Sequence, residues 1–429
     1  MNTELTHKLL DFIDESPTMF HATTACIKRL EAASFSFLNP SAAWELQVGG
    51  KYYTTINDSA IIAFCINADD VEQEGFKIIG THDDVPGFRI KPNAQMQTEN
   101  YIKLNTEGYG GAILSTWFDR PLSIAGRVAL KSDNLLRPRT ELVDVNKPIL
   151  IIPSLAIHMN REVNNGVKMN KQKDTLPVLT YTNEPVKENL ILELLADTLK
   201  VSVEDILDAD LYLYPYEKSM LVGLKEEFIS APRLDDLSMT YAGLEAILNN
   251  TSKKGISMFV CYDNEEIGSH TKQGADSPYL IRTIERILLA MGKSREALFM
   301  ALENSFMLSG DVAHLSHPNY MEKSDPTNPV LPGKGPAIKV NANFSYTTDS
   351  DSYAVFAGIC KANNIPFQVF VNRSDERGGS TIGPVAASHL GIRSVDIGTP
   401  MLSMHSAREL MAADDFIYTT EAMKAFFSI

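Results

Sequence analysis

Short, continuous apolar runs recur along this chain, and several of them lead directly into acidic or histidine residues. The run at 255–260 leads into two adjacent glutamates, Glu265 and Glu266, and the run at 76–79 leads into His82. Apolar runs of this length, with β-branched and aromatic residues, are typical of strands that are buried on both faces of a sheet. Because open α/β sheets place their chemistry beyond the carboxyl ends of their strands, the sequence predicts functional side chains at both positions.

Between these runs, other segments repeat apolar residues every three to four positions. This spacing predicts amphipathic helices over 5–13, 237–248 and 277–292, and a further helix over 186–199. The stretch 52–66 predicts a β-hairpin, because two strand-like runs flank an Asn-Asp pair. The alternation of buried strands with helices indicates an α/β fold.

The chain divides into segments of different character. Residues 93–229 contain β-type runs and polar connectors, whereas the flanking segments follow a βα rhythm. We therefore predict a catalytic domain formed by residues 1–92 and 230–429, with a separate domain inserted at 93–229. A length of 429 residues agrees with two domains, since it exceeds one ordinary hydrophobic core.

The acidic composition excludes several classes of partner. Lysine and arginine number 39 against 54 aspartates and glutamates, which gives 39 − 54 = −15. A chain with this charge is not expected to bind nucleic acid or an anionic membrane. No apolar run approaches the ~20 residues that a membrane helix needs, and the first residues lack the layout of a signal peptide.

The cysteines indicate a reducing compartment. The chain has four, Cys26, Cys65, Cys261 and Cys360, which are scattered without CxxC spacing. Such cysteines are typical of buried free thiols. Together with the absence of a recognisable signal peptide, they predict a cytoplasmic protein.

Five separate segments supply a candidate set of metal ligands, made up of two histidines, two aspartates and one glutamate. They are 80–86 (GTHDDVP), 233–237 (RLDDL), 265–266 (EE), 309–314 (SGDVAH) and 403–406 (SMHS). Hard oxygens and neutral imidazole nitrogens suit two Zn²⁺, Co²⁺ or Mn²⁺ ions that share one bridging carboxylate. Each residue alone is more often a cap, a turn or a satisfied core residue, so the prediction depends on the set.

Two carboxylates beside these ligands are candidates for supporting roles. Asp84 lies two residues after His82, where a carboxylate can accept the far N–H of a metal-bound imidazole. Glu265 precedes Glu266, so one glutamate can reach a metal while the other takes a proton from water.

Ten short motifs extend this pattern along nearly the whole chain. In order they are 16–21 (SPTMFH), 82–84 (HDD), 116–120 (TWFDR), 152–158 (IPSLAIH), 232–235 (PRLD), 263–269 (DNEEIGS), 317–320 (HPNY), 338–343 (IKVNAN), 379–384 (GSTIGP) and 402–406 (LSMHS). The sequence resembles the aspartyl aminopeptidases of bacterial type, which are di-metal exopeptidases. Ten motifs in the family's order make this resemblance specific.

The resemblance implies a fold and a set of roles. The fold would be α/β, with a zinc-peptidase-like three-layer α/β/α catalytic domain and an inserted, mainly β dimerisation domain. His82 and Asp311 would bind one metal, Glu266 and His405 the other, and Asp235 would bridge them. Asp84 would orient His82, and Glu265 would be the general base that takes a proton from water and passes it to the leaving amine.

The resemblance also implies substrates and an assembly. The enzyme would remove N-terminal residues from peptides, with Asp and Glu as the residues that the family prefers, and Lys339 and Tyr346 would contact the substrate. The inserted domain would make the subunit contacts of a homo-oligomer, a dodecamer built from dimers. His158, in the Leu-Ala-Ile-His motif, would reach a neighbour's active site.

The chain departs from the family pattern at several positions. Asp83 and Val85 lie beside the first histidine, and Ser324 and Asn328 stand in place of two histidines. Phe344-Ser345 follows the Asn-Ala-Asn motif, and Glu376-Arg377-Gly378 precedes the glycine turn. None removes a metal ligand. They cluster where the pocket wall is expected, so hydrolysis is expected while the preference for an acidic residue stays open.

Two other functions fit the residues. The first is a di-metal amidohydrolase that deacylates small N-acyl amino acids. Comparing the activity on peptides that have a free N-terminal amine with the activity on N-acyl amino acids would distinguish it from an aminopeptidase. The second is a non-catalytic oligomeric scaffold. The intact Glu265 and all five candidate ligands favour an enzyme.

Overall fold

The computed structural model describes residues 3–184 and 189–429. The chain separates into two compact units. The larger unit comprises Met1–Asp84, Ser219–Met404 and Glu409–Ile429, and the smaller comprises Val85–Lys218 and His405–Arg408. These boundaries differ from the expected 93–229, because the strand that begins at Gly87 already pairs within the smaller unit.

The described residues form ten α-helices and twenty β-strands, together with short 3-10 turns. The helices are α1 Thr3–Asp14, α2 Met19–Ala32, α3 Val71–Glu74, α4 Leu190–Leu199, α5 Leu234–Leu248, α6 Tyr279–Ala290, α7 Arg295–Glu303, α8 Ser350–Ala362, α9 Ile382–Leu390 and α10 Ala413–Ser428. The strands are β1 Ser36–Phe37, β2 Lys51–Ile56, β3 Ala60–Ile66, β4 Phe76–His82, β5 Gly87–Thr98, β6 Tyr101–Tyr109, β7 Leu122–Leu130, β8 Arg139–Asp144, β9 Val178–Tyr181, β10 Ile206–Pro215, β11 Met220–Val222, β12 Phe228–Ala231, β13 Ile256–Tyr262, β14 Phe306–Gly310, β15 Ala313–His314, β16 Ala337–Val340, β17 Gln368–Val371, β18 Arg393–Gly398, β19 Pro400–Leu402 and β20 Glu409–Ala412.

A nine-stranded sheet forms the centre of the larger unit. Its strand order is β1-β2-β3-β13-β4-β14-β18-β16-β17. The four central strands β13, β4, β14 and β18 are parallel to one another. Their carboxyl ends therefore meet at one edge of the sheet, which is where the sequence predicts functional side chains.

Both faces of this sheet are covered by helices. Along β3, Ile61, Ala63 and Cys65 face a core shared with α1, α2, α5, α8 and α10, and the intervening residues face a core shared with α6, α7 and α9. All seven residues of β3 and all seven of β13 are buried, which explains their continuous apolar sequences. The larger unit is thus a three-layer α/β/α sandwich, as the resemblance implies.

Most of the expected local elements are present. The hairpin is confirmed, because β2 and β3 pair antiparallel from Lys51–Cys65 to Ile56–Ala60. The helix expected over 277–292 spans Tyr279–Ala290, and the Ser277 hydroxyl accepts the Tyr279 N–H at 3.3 Å. Leu280 lies in the core, and Ile281 is only partly buried.

A five-stranded sheet completes the larger unit. Its order is β11-β12-β20-β19-β15, and its strands come from the segments after residue 218, after Gly310 and around residue 410. It joins parts of the chain that are far apart in sequence, which no local pattern indicates.

The smaller unit is built on a six-stranded sheet of order β8-β7-β10-β5-β6-β9. All its pairings are antiparallel. The helix expected over 186–199 is Leu190–Leu199, and residues 186–188 lie outside the described residues. Its leucine side chains pack with those of β7 and β10 in a separate hydrophobic core.

Two expectations from composition can be compared with the structure. All four cysteines are buried and free, as predicted. Among the helices at residues 3–184 and 189–429, none combines the length and the apolar character that a bilayer crossing requires.

Candidate metal centre

The sheet order brings the predicted ligands of the larger unit together. The strands β4 and β13 are parallel neighbours in which His82 pairs with Tyr262, so the residues that follow both strands emerge side by side. On the other side of β4 lies β14, which ends one residue before Asp311. Because the three strands run parallel, His82, Asp311 and the 263–266 segment lie at one edge of the sheet.

Four buried residues converge at this edge. His82, Asp235, Asp236 and Asp311 each offer a ligand atom within 4.8 Å of the others. The Nε2 atom of His82 lies 3.5 Å from Oδ1 of Asp235. Asp235 and Asp236 begin α5 with non-helical backbone angles, so the regular helix starts after them, as expected for Asp235.

Asp236 is a member of this group that the sequence reasoning missed. Its Oδ2 accepts the His82 backbone N–H at 3.2 Å, and its Oδ1 is buried without a hydrogen-bond partner among the described residues. A buried carboxylate oxygen without a donor is costly unless a cation is near. The doubled aspartate in Arg-Leu-Asp-Asp was the available signal.

The residues present fit a divalent cation. The group combines one imidazole with three carboxylates, a donor set that suits zinc, cobalt or manganese. Asp235 also offers an oxygen within 4.8 Å of an oxygen of Glu266, so the carboxylates continue towards the two glutamates.

The two glutamates lie on a tight turn. Residues Glu265–Ile267 form one 3-10 turn, and Asn264 before it and Gly268 after it have left-handed backbone angles. The Asn264 side chain accepts hydrogen bonds from Thr271 and Gln273, both at 2.8 Å, which holds that conformation. The turn therefore presents Glu265 and Glu266 from a fixed backbone.

Asp84 connects this turn to His82. Its two carboxylate oxygens accept the backbone N–H groups of Glu265 at 2.9 Å and Glu266 at 3.1 Å. Its backbone carbonyl lies 3.1 Å from Nδ1 of His82, and its Oδ1 lies 3.4 Å from the same nitrogen. With Nδ1–H donated to Asp84, Nε2 is the nitrogen of His82 that can bind a metal.

Burial and charge perturb the titration of the centre. Burial raises the pKa of Glu265 well above its usual range, and Asp311 and Glu266 raise it further, while His82 opposes the change. Burial would lower the pKa of His82, but the carboxylates of Asp236, Asp235 and Asp84 raise it well above its usual range. Both shifts have one cause, several carboxylates buried together around one imidazole, and a bound cation would oppose the rise in the pKa of Glu265.

Lys339 lies beside Asp311, and Tyr346 lies beside Lys339. The Nζ atom of Lys339 is 3.4 Å from Oδ2 of Asp311 and 5.4 Å from the centre of the Tyr346 ring. Lys339 is only 3% exposed and Tyr346 4%. The charge of Lys339 is thus already paired with Asp311.

The two remaining predicted residues belong to the smaller unit. His405 lies in the 405–408 segment, where its Nδ1 is 3.1 Å from the Gly111 carbonyl oxygen and its own carbonyl accepts the Ile113 N–H at 2.9 Å. His158 is exposed in an irregular segment, not in a strand.

Comparison with known proteins agrees with this geometry. A family model described as aminopeptidase I zinc metalloprotease (M18) matches residues 12–427. A protein from Clostridium novyi named probable M18 family aminopeptidase 2 is 52% identical over 425 residues, which cover 99% of this chain and 98% of that protein. A protein of the same name from Ectopseudomonas mendocina is 41% identical over 431 residues. The match covers 100% of this chain and 99% of that protein.

Solved structures show the same fold. A chain from the cryo-EM structure of the Ape4 and Nbr1 complex superimposes with a TM-score of 0.95 at 35% identity and covers 99% of this chain and 85% of that one. A chain from the structure of the S. cerevisiae mApe1 dodecamer superimposes with a TM-score of 0.87 at 29% identity. The match covers 100% of this chain and 97% of that chain.

Proposed function

Because the chain belongs to the M18 family of aminopeptidase I zinc metalloproteases, and is thus a metal-dependent aminopeptidase, we propose how its own residues carry out peptide hydrolysis. The observation that carries the proposal is the convergence of His82, Asp235, Asp236 and Asp311 beside a glutamate turn that Asp84 holds by both backbone amides. Neither a deacylase nor a scaffold is favoured by any feature of this centre.

We propose a centre for two divalent ions. His82 and Asp311 would hold one ion, Glu266 and His405 would hold the other, and Asp235 would be shared between them. The resemblance supports the assignment of His405. Asp236 supports His82 through its backbone N–H. When bound, zinc ions lower the pKa of a water molecule and polarise the carbonyl group of the scissile peptide bond.

Glu265 is the proposed general base. It accepts a proton from the attacking water and returns it to the amine of the leaving peptide. Its position supports this role, because its turn is held by Asp84, which also holds His82. Asp84 thereby keeps the proposed proton acceptor and the metal ligand at a fixed distance from each other.

Substitution of the two glutamates tests the proposal. Glu265→Gln keeps the shape of the side chain but cannot accept the proton, so we expect kcat to fall by ~10²–10⁴ while metal content stays near that of the wild type. Glu266→Gln replaces an anionic ligand by a weak neutral one, so we expect about half of the metal to be lost. Elemental analysis and kinetics with aminoacyl reporter substrates measure both quantities. The reverse pattern, with metal lost only from the Glu265 variant, contradicts the assignment.

We further propose that the enzyme acts on acidic N-terminal residues, with Lys339 and Tyr346 near the substrate. The resemblance supports this preference, and so does the position of Lys339 beside Asp311, with Tyr346 beside Lys339.

We propose a dodecamer built from dimers, in which the smaller unit makes subunit contacts and His158 reaches a neighbouring active site. The mApe1 relative is a dodecamer. In this chain the segment around His158 exposes six apolar side chains, as an interface requires. They are Ile151, Leu155, Ile157, Met159, Val163 and Val167.

We place the enzyme in the cytoplasm. The four buried, free cysteines support a reducing compartment.

A further inference from the structure

A cavity of about 400 Å³ lies in the larger unit, close to the candidate centre. Three segments line it, 314–317, 323–330 and 370–379. Its lining contains the residues of two departures from the family pattern, at 324–328 and 376–378. Two departures that are far apart in sequence thus lie around one space.

A short path of contacts joins this cavity to the metal ligands. His314 follows Asp311 by three residues, and three residues of extended chain span at most about 10 Å. The His314 ring centre is 5.7 Å from that of Phe370, which lines the cavity. The Phe370 ring is in turn 6.2 Å from Tyr346, which contacts Lys339. A peptide bound at the centre can therefore place one of its groups in the cavity.

Most charges around the cavity are already compensated. Lys323 pairs with Glu376, and the Arg373 guanidinium pairs with Asp375 at 2.6 and 3.0 Å. The Asp325 carboxylate accepts three hydrogen bonds from Thr327 and Asn328 within its own loop and one from the Asn328 amide group, all at 2.8–3.0 Å. The cations of Lys323 and Arg373 are thus already paired, whereas Asp325 keeps its negative charge because all of its donors are neutral.

Arg377 is different. It lines the cavity, and it makes no ion pair or hydrogen bond with the residues at 3–184 and 189–429. A guanidinium presents five donors in a planar fork that matches a carboxylate. Lys339 does not line the cavity, and Lys323 and Arg373 are paired, so among the described residues that line it Arg377 is the cation available to a ligand.

We propose that this cavity binds a carboxylate group of the peptide substrate and that Arg377 is the residue that binds it. The inference rests on the proposed function and specifies its substrate class. The carboxylate has two possible sources, the side chain of an acidic N-terminal residue and the C-terminal carboxylate of a dipeptide. Both place a negative charge within a few bonds of the scissile peptide, and the guanidinium selects either against an uncharged analogue.

Two substrate pairs distinguish these sources in the metal-loaded enzyme. The first compares Asp and Asn reporter amides, and the second compares the dipeptide Leu-Ala with Leu-Ala amide. In each pair the measured quantity is the ratio of kcat/KM for the charged to the uncharged member. For Arg377→Gln we expect this ratio to fall about tenfold or more in the pair whose carboxylate enters the cavity. For Arg377→Lys we expect a smaller fall, because the positive charge remains while the planar guanidinium is lost.

Arg295→Gln is the matched control, since Arg295 is an exposed arginine of α7 that does not line the cavity. It removes the same charge from the protein and should leave both ratios unchanged. Unchanged ratios in Arg377→Gln, with wild-type hydrolysis intact, would overturn this inference alone. A wild-type enzyme that hydrolyses none of the four substrates would overturn the proposed function and this inference with it.

Discussion

Replacement of Asp84 by Asn tests the link between the metal ligand and the general base. Asp84 is fully buried, and its two oxygens accept the N–H groups of Glu265 and Glu266 at 2.9 and 3.1 Å. Asparagine keeps one acceptor oxygen, but its amide group places a donor opposite the second N–H. In the variant one charge-assisted hydrogen bond becomes a neutral one and the other is lost to two opposed donors, while the backbone carbonyl that contacts His82 is unchanged.

The expected magnitude follows from that hydrogen bond. A hydrogen bond to a charged group contributes about 1.5–3 kcal/mol. If the glutamate turn relaxes in the ground state and must be restored in the transition state, the same free energy enters the barrier. At 1.36 kcal/mol per factor of ten, kcat/KM should fall by about 10- to 150-fold. We expect metal content to fall less than activity, because the Asp84 carbonyl still orients His82.

The assay combines kinetics, elemental analysis and thermal melting, with Asp83→Asn as control. Asp83 is the adjacent buried carboxyl group, and it contacts the Thr23 hydroxyl at 2.9 Å and not the glutamate turn. Burial and the nearby Asp263 raise the pKa of Asp83 well above its usual range, so a neutral amide resembles its protonated form. Wild-type kcat/KM in a folded Asp84→Asn variant, or equal losses in both variants, would refute the reasoning.

Two further predictions concern assembly and specificity. Light scattering should give a large homo-oligomer, and a monomer of about the chain mass would contradict this prediction. His158→Ala should lower activity without loss of metal. Lys339→Met should weaken hydrolysis of Asp and Glu reporter substrates more than that of Leu and Ala substrates, because an unpaired carboxylate in a partly desolvated pocket is costly. Equal losses on all four substrates together with lower metal content would instead show that Lys339 serves only Asp311.

The elements of the α/β/α unit could be predicted because their patterns are local. Strands buried on both faces leave continuous apolar runs, and α1 and α6 leave stripes at helical spacing. The positions of Glu265 and Glu266 after β13, and of His82 at the end of β4, followed from the same runs. The five-stranded sheet could not be predicted, since its pairings join distant segments.

Asp236 shows where pattern reasoning about ligands ends. Its neighbour Asp235 could be identified because it precedes a helix in a motif, but the doubled aspartate alone does not show whether the second carboxylate is buried beside His82 or solvated. The structure distinguishes them through the burial of Asp236 and its contact with the His82 N–H. That contact depends on the placement of α5 against β4, a tertiary relation without a sequence signal.

Asp84 illustrates the same limit from the opposite side, since its importance was predicted but its partners were not. The spacing of two residues from His82 predicted a carboxylate that orients the imidazole. In the structure the nearer contact to His82 Nδ1 is the Asp84 backbone carbonyl, and the carboxylate holds two backbone amides of the glutamate turn. Backbone donors carry no residue identity, so a sequence cannot show that they need an acceptor. The parallel register of β4 and β13 supplies the missing information, because it sets the residues after His82 beside those after Tyr262. An aspartate at this position can therefore support a metal ligand and a proton acceptor at once, which explains why a single side chain is expected to affect the rate more than the metal content.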